Sequence, residues 1–122
     1  MVKLRFLTLN VWSIPWPVSR DTAARMKAIA RRLPEFDADV VAFQEVWTRA
    51  SRQTLVRAGR EAGYGFWWHN GGQSGLLMLS RIPVRSIHFR PYTLNGLPHR
   101  IQHLDYYGNK GLVHIELVTE SG

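Results

Sequence analysis

Asp39-Val40-Val41-Ala42-Phe43-Gln44-Glu45-Val46-Trp47 is the stretch that decides how this chain is read. From Asp39 to Phe43 it is a compact apolar run of strand length, with Asp37 in front of it and the polar pair Gln44-Glu45 behind. Glu45 is thereby delivered to the carboxyl end of a strand, where open α/β sheets gather their ligands. A carboxylate in that place suits a hard cation. On position alone, an acid that simply meets solvent as the strand ends is the more economical account.

Working outward toward the amino terminus, Lys3 to Val11 reads as another strand. Leu4, Phe6, Thr8 and Asn10 alternate with Arg5, Leu7, Leu9 and Val11, and the apolar and β-branched content of both sets predicts that both faces are buried. Pro15 and Pro17 end it in a loop from Ser13 to Ser19. Asp21 to Leu33 then carries Ala23, Met26, Ile29, Ala30 and Leu33 at helical spacing, with Arg25, Lys27, Arg31 and Arg32 on the other side. Asn10 closes the first strand as Glu45 closes the second, so two polar strand ends can share one crevice. An amide can donate to a phosphate oxygen, but on position alone an ordinary turn-forming Asn before a proline-rich loop is the preferred reading.

On the other side, Thr48 or Ser51 caps a helix running toward Glu61, with Leu55, Val56 and Ala62 as its apolar face and Gly63 as its stop. Four strands are expected after it, at Gly65 to Trp68, Gly75 to Ser80, Val84 to Phe89 and Leu112 to Val118, parted by Gly, Asn and Pro turns. A βαβ start followed by a strand-rich tail predicts α/β layering around a mixed sheet. The stretch from Tyr92 to Lys110 is long for a structureless connection, which makes it a candidate loop facing substrate or membrane.

Composition limits the chemistry. The chain has 122 residues, enough for one domain, and 45% of them are hydrophobic, enough to bury a core. A formal charge of +7 predicts attraction to phosphates, nucleic acid or anionic membrane surfaces. The absence of cysteine excludes disulfides and thiolate metal sites, leaving carboxylates, amides and imidazoles as ligands. No apolar run approaches a membrane span and no signal peptide is visible, so a cytoplasmic location is the default expectation.

Other residue patterns are weaker. His99 and His103 stand four apart, but no glutamate follows His99, so loop histidines are preferred to a zinc site. Gly71, Gly72 and Gly75 fit turns better than a phosphate cradle, because no complete nucleotide fingerprint surrounds them. Trp67 and Trp68 read as core, whereas Trp12 and Trp16 border the proline loop and are open to rimming a site or meeting a membrane interface.

Three segments in order resemble the first half of endonuclease/exonuclease/phosphatase domains: Leu9-Asn10-Val11-Trp12, the Asp39 to Trp47 stretch, and Ser74-Gly75-Leu76-Leu77-Met78-Leu79-Ser80-Arg81-Ile82-Pro83-Val84. A narrower resemblance, to neutral sphingomyelinases, is carried by Asn10-Val11-Trp12-Ser13-Ile14-Pro15, Glu45-Val46-Trp47, Tyr92-Thr93-Leu94-Asn95-Gly96 and Asp105-Tyr106-Tyr107-Gly108-Asn109-Lys110-Gly111. The resemblance implies half of a DNase I-like α/β sandwich, a mixed β-sheet with two helices packed on one face, and residues 1–122 as the amino-terminal half of the domain with the carboxy-terminal half absent.

It further implies a phosphodiesterase that uses Mg²⁺, with Mn²⁺ also suited, and that hydrolyses sphingomyelin to ceramide and phosphocholine. Glu45 would be the metal ligand and Asn10 the phosphate-orienting amide. Gly75, Tyr92 and Asn95 would shape the entrance, and Asp105 with Lys110 would link a loop to assembly of the site. The family's later histidine-bearing strand, Gly-Asp-Xaa-Asn segment and terminal Asp-His pair have no counterpart here, so this chain alone is expected to be weakly active or inactive. Two other classes stand beside this one. One is a DNase-like phosphodiesterase acting on nucleic acid. The other is a non-catalytic fragment that covers its apolar sheet face by homodimerising or with a partner.

Overall fold

A computed structural model describes residues 2–92 and 110–120. Strand β1 (Phe6–Ser13) lies parallel to β2 (Val40–Val46), in register from Phe6 opposite Val40 to Asn10 opposite Gln44. Parallel pairing needs a crossover, which helix α1 (Thr22–Arg32) and a 3-10 turn at Leu33–Glu35 supply. Helix α2 (Arg49–Glu61) follows β2, then β3 (Phe66–His69) and β4 (Leu77–Ser80) pair antiparallel, with β4 inserted beside β2 to give the order β1-β2-β4-β3. The hairpin β5 (Val84–Pro91) and β6 (Gly111–Leu117) forms a second, two-stranded sheet.

The core fills the space between the larger sheet and the two helices. Val11 of β1, Val41, Phe43 and Val46 of β2, and Leu77 and Leu79 of β4 meet Met26 and Leu55 of the helices, with Leu33 and Tyr64 beside them. Gly59 lets α2 come close, because a Cβ there would stand 2.7 Å from the Leu79 side chain. The Tyr64 ring is fully buried and its hydroxyl donates to the Ala38 carbonyl at 3.0 Å, satisfying the polar tip inside the core. Thr48 is the cap of α2 and accepts from the Ser51 amide at 3.1 Å. Ser51 turns inward instead, 2.6 Å from the Ser13 hydroxyl.

The expectation of a strand buried on both faces is corrected for β1. Leu7, Leu9, Val11 and Ser13 face the helices, but Phe6 is 65% and Trp12 49% exposed, with Thr8 and Asn10 exposed between them. Helices cover only one face of the sheet. The hairpin covers part of the other, where Trp68 meets Phe89 at 6.1 Å between ring centroids and a cleft of about 440 Å³ lies between Gln44, Met78, Gly111 and Leu112. Trp67 is 45% exposed on the helix-facing side of an edge strand, so it is not core as expected. The remaining strand boundaries shift by one to three residues, because pairing rather than composition ends each strand: β1 continues to Ser13, which pairs with Val46, and β4 starts only at Leu77.

Candidate active site

The two polar strand ends meet at an irregularity in the β1–β2 pairing. Between Asn10 opposite Gln44 and Ser13 opposite Val46, β1 spends Val11 and Trp12 where β2 spends only Glu45. This bulge takes Trp12 to φ 47 and Glu45 to φ 61, a left-handed region that costs a non-glycine residue about 1–3 kcal/mol and that clusters at functional sites. Its effect is visible in the core. Val41, Phe43 and Val46 all belong to it, and the interval of three between the last two leaves both Gln44 and Glu45 outside. Strict alternation would have sent Glu45 into the apolar layer.

Asn10 lies on the exposed face of β1, and its Oδ1 accepts from the Trp12 amide at 3.0 Å, which leaves both side-chain N–H donors available to a ligand. Gln44 braces the strands, donating to Thr8 Oγ1 at 2.9 Å and to the Ala42 carbonyl at 3.0 Å. The half-exposed Glu45 carboxylate makes no hydrogen bond or ion pair with any described residue. Val46, next to it, donates to the Gly75 carbonyl at 2.8 Å, and Gly75 lies so close to Trp47 that a Cβ would stand 3.0 Å from the indole.

Arg25 was legible only as part of the polar face of α1, yet it holds the bulge from behind. Its Nη2 donates to the Trp12 carbonyl and to Ser19 Oγ, both at 2.9 Å, and its guanidinium lies 5.4 Å over the Trp12 ring. Tyr92 and Lys110 come together at the open end of the hairpin, where the Tyr92 amide donates to the Lys110 carbonyl at 2.8 Å. Asn95 and Asp105, and also His99 and His103, lie outside the described residues.

No group of three or more His, Cys, Asp and Glu side chains stands together among the described residues. What the strand ends offer is one carboxylate and one amide, both oxygen-bearing. That donor set fits Mg²⁺, which is commonly held by one or two carboxylates, with water and substrate phosphate completing the octahedron.

A second polar feature, not anticipated from the sequence, lines the outer side of α2. Arg49, Arg52, Arg57 and Arg60 border an open groove of about 810 Å³ whose other wall is Trp67 and His69 of β3. Burial, with the Arg52 charge adding to it, holds the His69 imidazole below its ordinary value of 6.5. The unfolded chain therefore binds the proton more readily, so stability is retained above pH 6.5 and falls as pH drops below it. His69→Asn is expected to flatten that part of the curve of unfolding free energy against pH. An unchanged slope would remove His69 as its source.

Solved structures of sphingomyelinases share this architecture. Sphingomyelinase C from Streptomyces griseocarneus superposes with a TM-score of 0.81 at 19% identity, over 100% of this chain and 47% of that one. A mutant beta toxin from Staphylococcus aureus with bound magnesium ions gives 0.81 at 15% identity, over 99% of this chain and 47% of that one. These likenesses define the fold class, about half of a DNase I-like α/β sandwich. The profile of the Endonuclease/Exonuclease/phosphatase family matches residues 7–117, and the chain belongs to that family. A putative neutral sphingomyelinase of Drosophila melanogaster is 39% identical over 92% of the chain, which spans 26% of that relative's length.

Proposed function

We propose that this chain forms the amino-terminal, metal-bearing half of a sphingomyelin-type phosphodiesterase. The observation that supports the reading is the bulge, which leaves an unpartnered carboxylate one residue past the strand partner of an exposed amide whose N–H donors are unused, in a chain of the Endonuclease/Exonuclease/phosphatase family. Identity to a relative named neutral sphingomyelinase supports the lipid substrate, and bound magnesium in a structure of the same fold supports the cation.

Glu45 would hold Mg²⁺, or Mn²⁺ through the same oxygen donors. When bound, the cation neutralises charge building on the phosphoryl oxygens. Asn10 donates to one of those oxygens and fixes the phosphate, while its own Oδ1 stays tied to the Trp12 amide. Arg25 keeps that backbone in place. Neither Asn10 nor Glu45 in these roles activates the attacking water, and loss of a general base lowers rates roughly a hundred- to ten-thousandfold. Tyr92, Asn95, Asp105 and Lys110 keep the substrate role that the resemblance to neutral sphingomyelinases implies, and the site works in transient contact with a membrane surface. The exposed face of β1 is completed by the second half of the domain or, without it, by a second copy of the chain.

The test is release of phosphocholine from sphingomyelin with Mg²⁺, set beside nicking of plasmid DNA by the same preparation. Slow release that disappears in Glu45→Gln supports the proposal. Nicking that outpaces release would move the chain to the nucleic-acid phosphodiesterases, which its charge also suits. Neither reaction, together with a concentration-dependent size, would assign it to the non-catalytic class.

A further inference from the structure

We propose that the groove between α2 and β3 is a second phosphate-binding site, separate from the strand-end site, and that it takes the headgroups of anionic lipids. Along α2, Arg49, Arg52, Arg57 and Arg60 recur at helical spacing and all line this one groove. Four guanidiniums on one face repel each other; burial and the neighbouring Arg49 charge both act against the charged form of Arg52. No ion pair neutralises them, because the ion pairs among described residues are Arg5–Asp37 and Arg32–Glu35, and Glu61, the one acid lining the groove and one helical turn from Arg57, pairs with none of the four. The first turn of α2 carries no acid either, at the end of a helix where cations are disfavoured. An unneutralised row of guanidiniums is a ready partner for phosphate oxygens, which they bind in a bidentate fashion.

The opposite wall is built for a compact headgroup. Trp67 stacks on His69 at 5.4 Å with 23° between the rings, so the imidazole already occupies one face of the indole. His69 Nδ1 accepts from the Gly71 amide at 3.0 Å, which in the neutral ring leaves its proton on Nε2 as a further donor. From Arg49 to Arg60 the row extends about 16 Å, short for a nucleic-acid track.

Its position connects it to the site already described. His69 pairs with Leu77, and Leu77 with Phe43, so the histidine end of the groove lies at the same end of the sheet as Glu45. Arg52 Nη1 donates to the carbonyl of Trp47, two residues past Glu45. A lipid surface held by the groove would thus meet the strand-end site edge-on. The inference rests on the lipid-substrate reading for its choice of partner.

The experiment measures co-sedimentation of the chain with phosphatidylcholine vesicles with and without phosphatidylserine, and without sphingomyelin, so that failure of the catalytic reading leaves the result untouched. Arg57→Gln with Arg60→Gln alters two exposed residues whose side chains make no hydrogen bond or ion pair with any described residue, and Lys27→Gln with Arg31→Gln on α1 is the charge-matched control. Phosphatidylserine-dependent binding is expected to fall roughly thirtyfold in the groove pair, each arginine contributing on the order of fivefold, and far less in the control. Equal losses in both pairs, or none in the groove pair, overturn the proposal. Loss of DNA binding with vesicle binding intact would overturn it in favour of nucleic acid. Inorganic phosphate that shifts the His69 imidazole resonances confirms the phosphate chemistry; if it does so while vesicles fail to bind, the groove serves soluble phosphates and the membrane is removed from it.

Discussion

Replacing Glu45 by glutamine is expected to abolish divalent-metal binding by this chain while leaving its fold intact. Mn²⁺ should broaden the amide resonances of Asn10, Trp12, Glu45 and Trp47 in the parent chain, and the broadening should vanish in Glu45→Gln. No group of three or more His, Cys, Asp and Glu side chains stands together among the described residues, so the Glu45 carboxylate is the charge on which the proposed site depends. Removing even a residue behind a metal ligand lowers affinity 10–100-fold, and loss of the ligand itself should cost about a hundredfold or more. Stability should move by no more than about 0.5 kcal/mol, because Glu45 is half-exposed, has no described side-chain partner, and forces the same left-handed backbone on either residue. Broadening that persists at the same amides in the variant would place the metal elsewhere and remove Glu45 from the mechanism. Melting of the variant would show instead that the carboxylate is structural.

How much of this was readable in advance follows from what leaves a mark in composition. The run from Asp39 to Phe43 is apolar because β2 is buried beneath two helices, and the same burial makes an acid directly after it conspicuous. Helix α1, helix α2 and the four later strands carry periodicity or turn residues, and each lies close to where those signals put it. The bulge carries no such mark. Glycine or asparagine would have announced positive φ, but Trp12 and Glu45 adopt it, so only the pairing of β1 with β2 reveals that Glu45 is turned out of the core. The open face of β1 was hidden for a related reason: Phe6 has the composition of a buried residue, and what covers such a face is a tertiary fact. The arginine row of α2 was not read from the sequence, and that it faces Trp67 and His69 depends on β3 taking the sheet edge, which no local pattern encodes.

The same dependence of the site on distant backbone makes Gly75→Val the second large effect, a destabilisation of about 2–5 kcal/mol read by urea denaturation. Two costs add. At φ +70 a side chain is strained by about 1–2 kcal/mol, and a Cβ placed 3.0 Å from three atoms of the Trp47 indole adds overpacking of about 1–3 kcal/mol. The second cost can be isolated within this protein. Gly71 has the same φ of +70 but nothing within 4 Å of its would-be Cβ, so Gly71→Val carries the strain without the contact. Because the Gly75 carbonyl receives the Val46 amide, displacing this turn also pulls on the backbone beside Glu45. Gly75→Val should therefore weaken Mn²⁺ broadening even where the chain stays folded, and Gly71→Val should not. Equal losses of stability in the two variants would show that the turn, and not its packing on Trp47, is what matters, and would separate Gly75 from the positioning of Glu45.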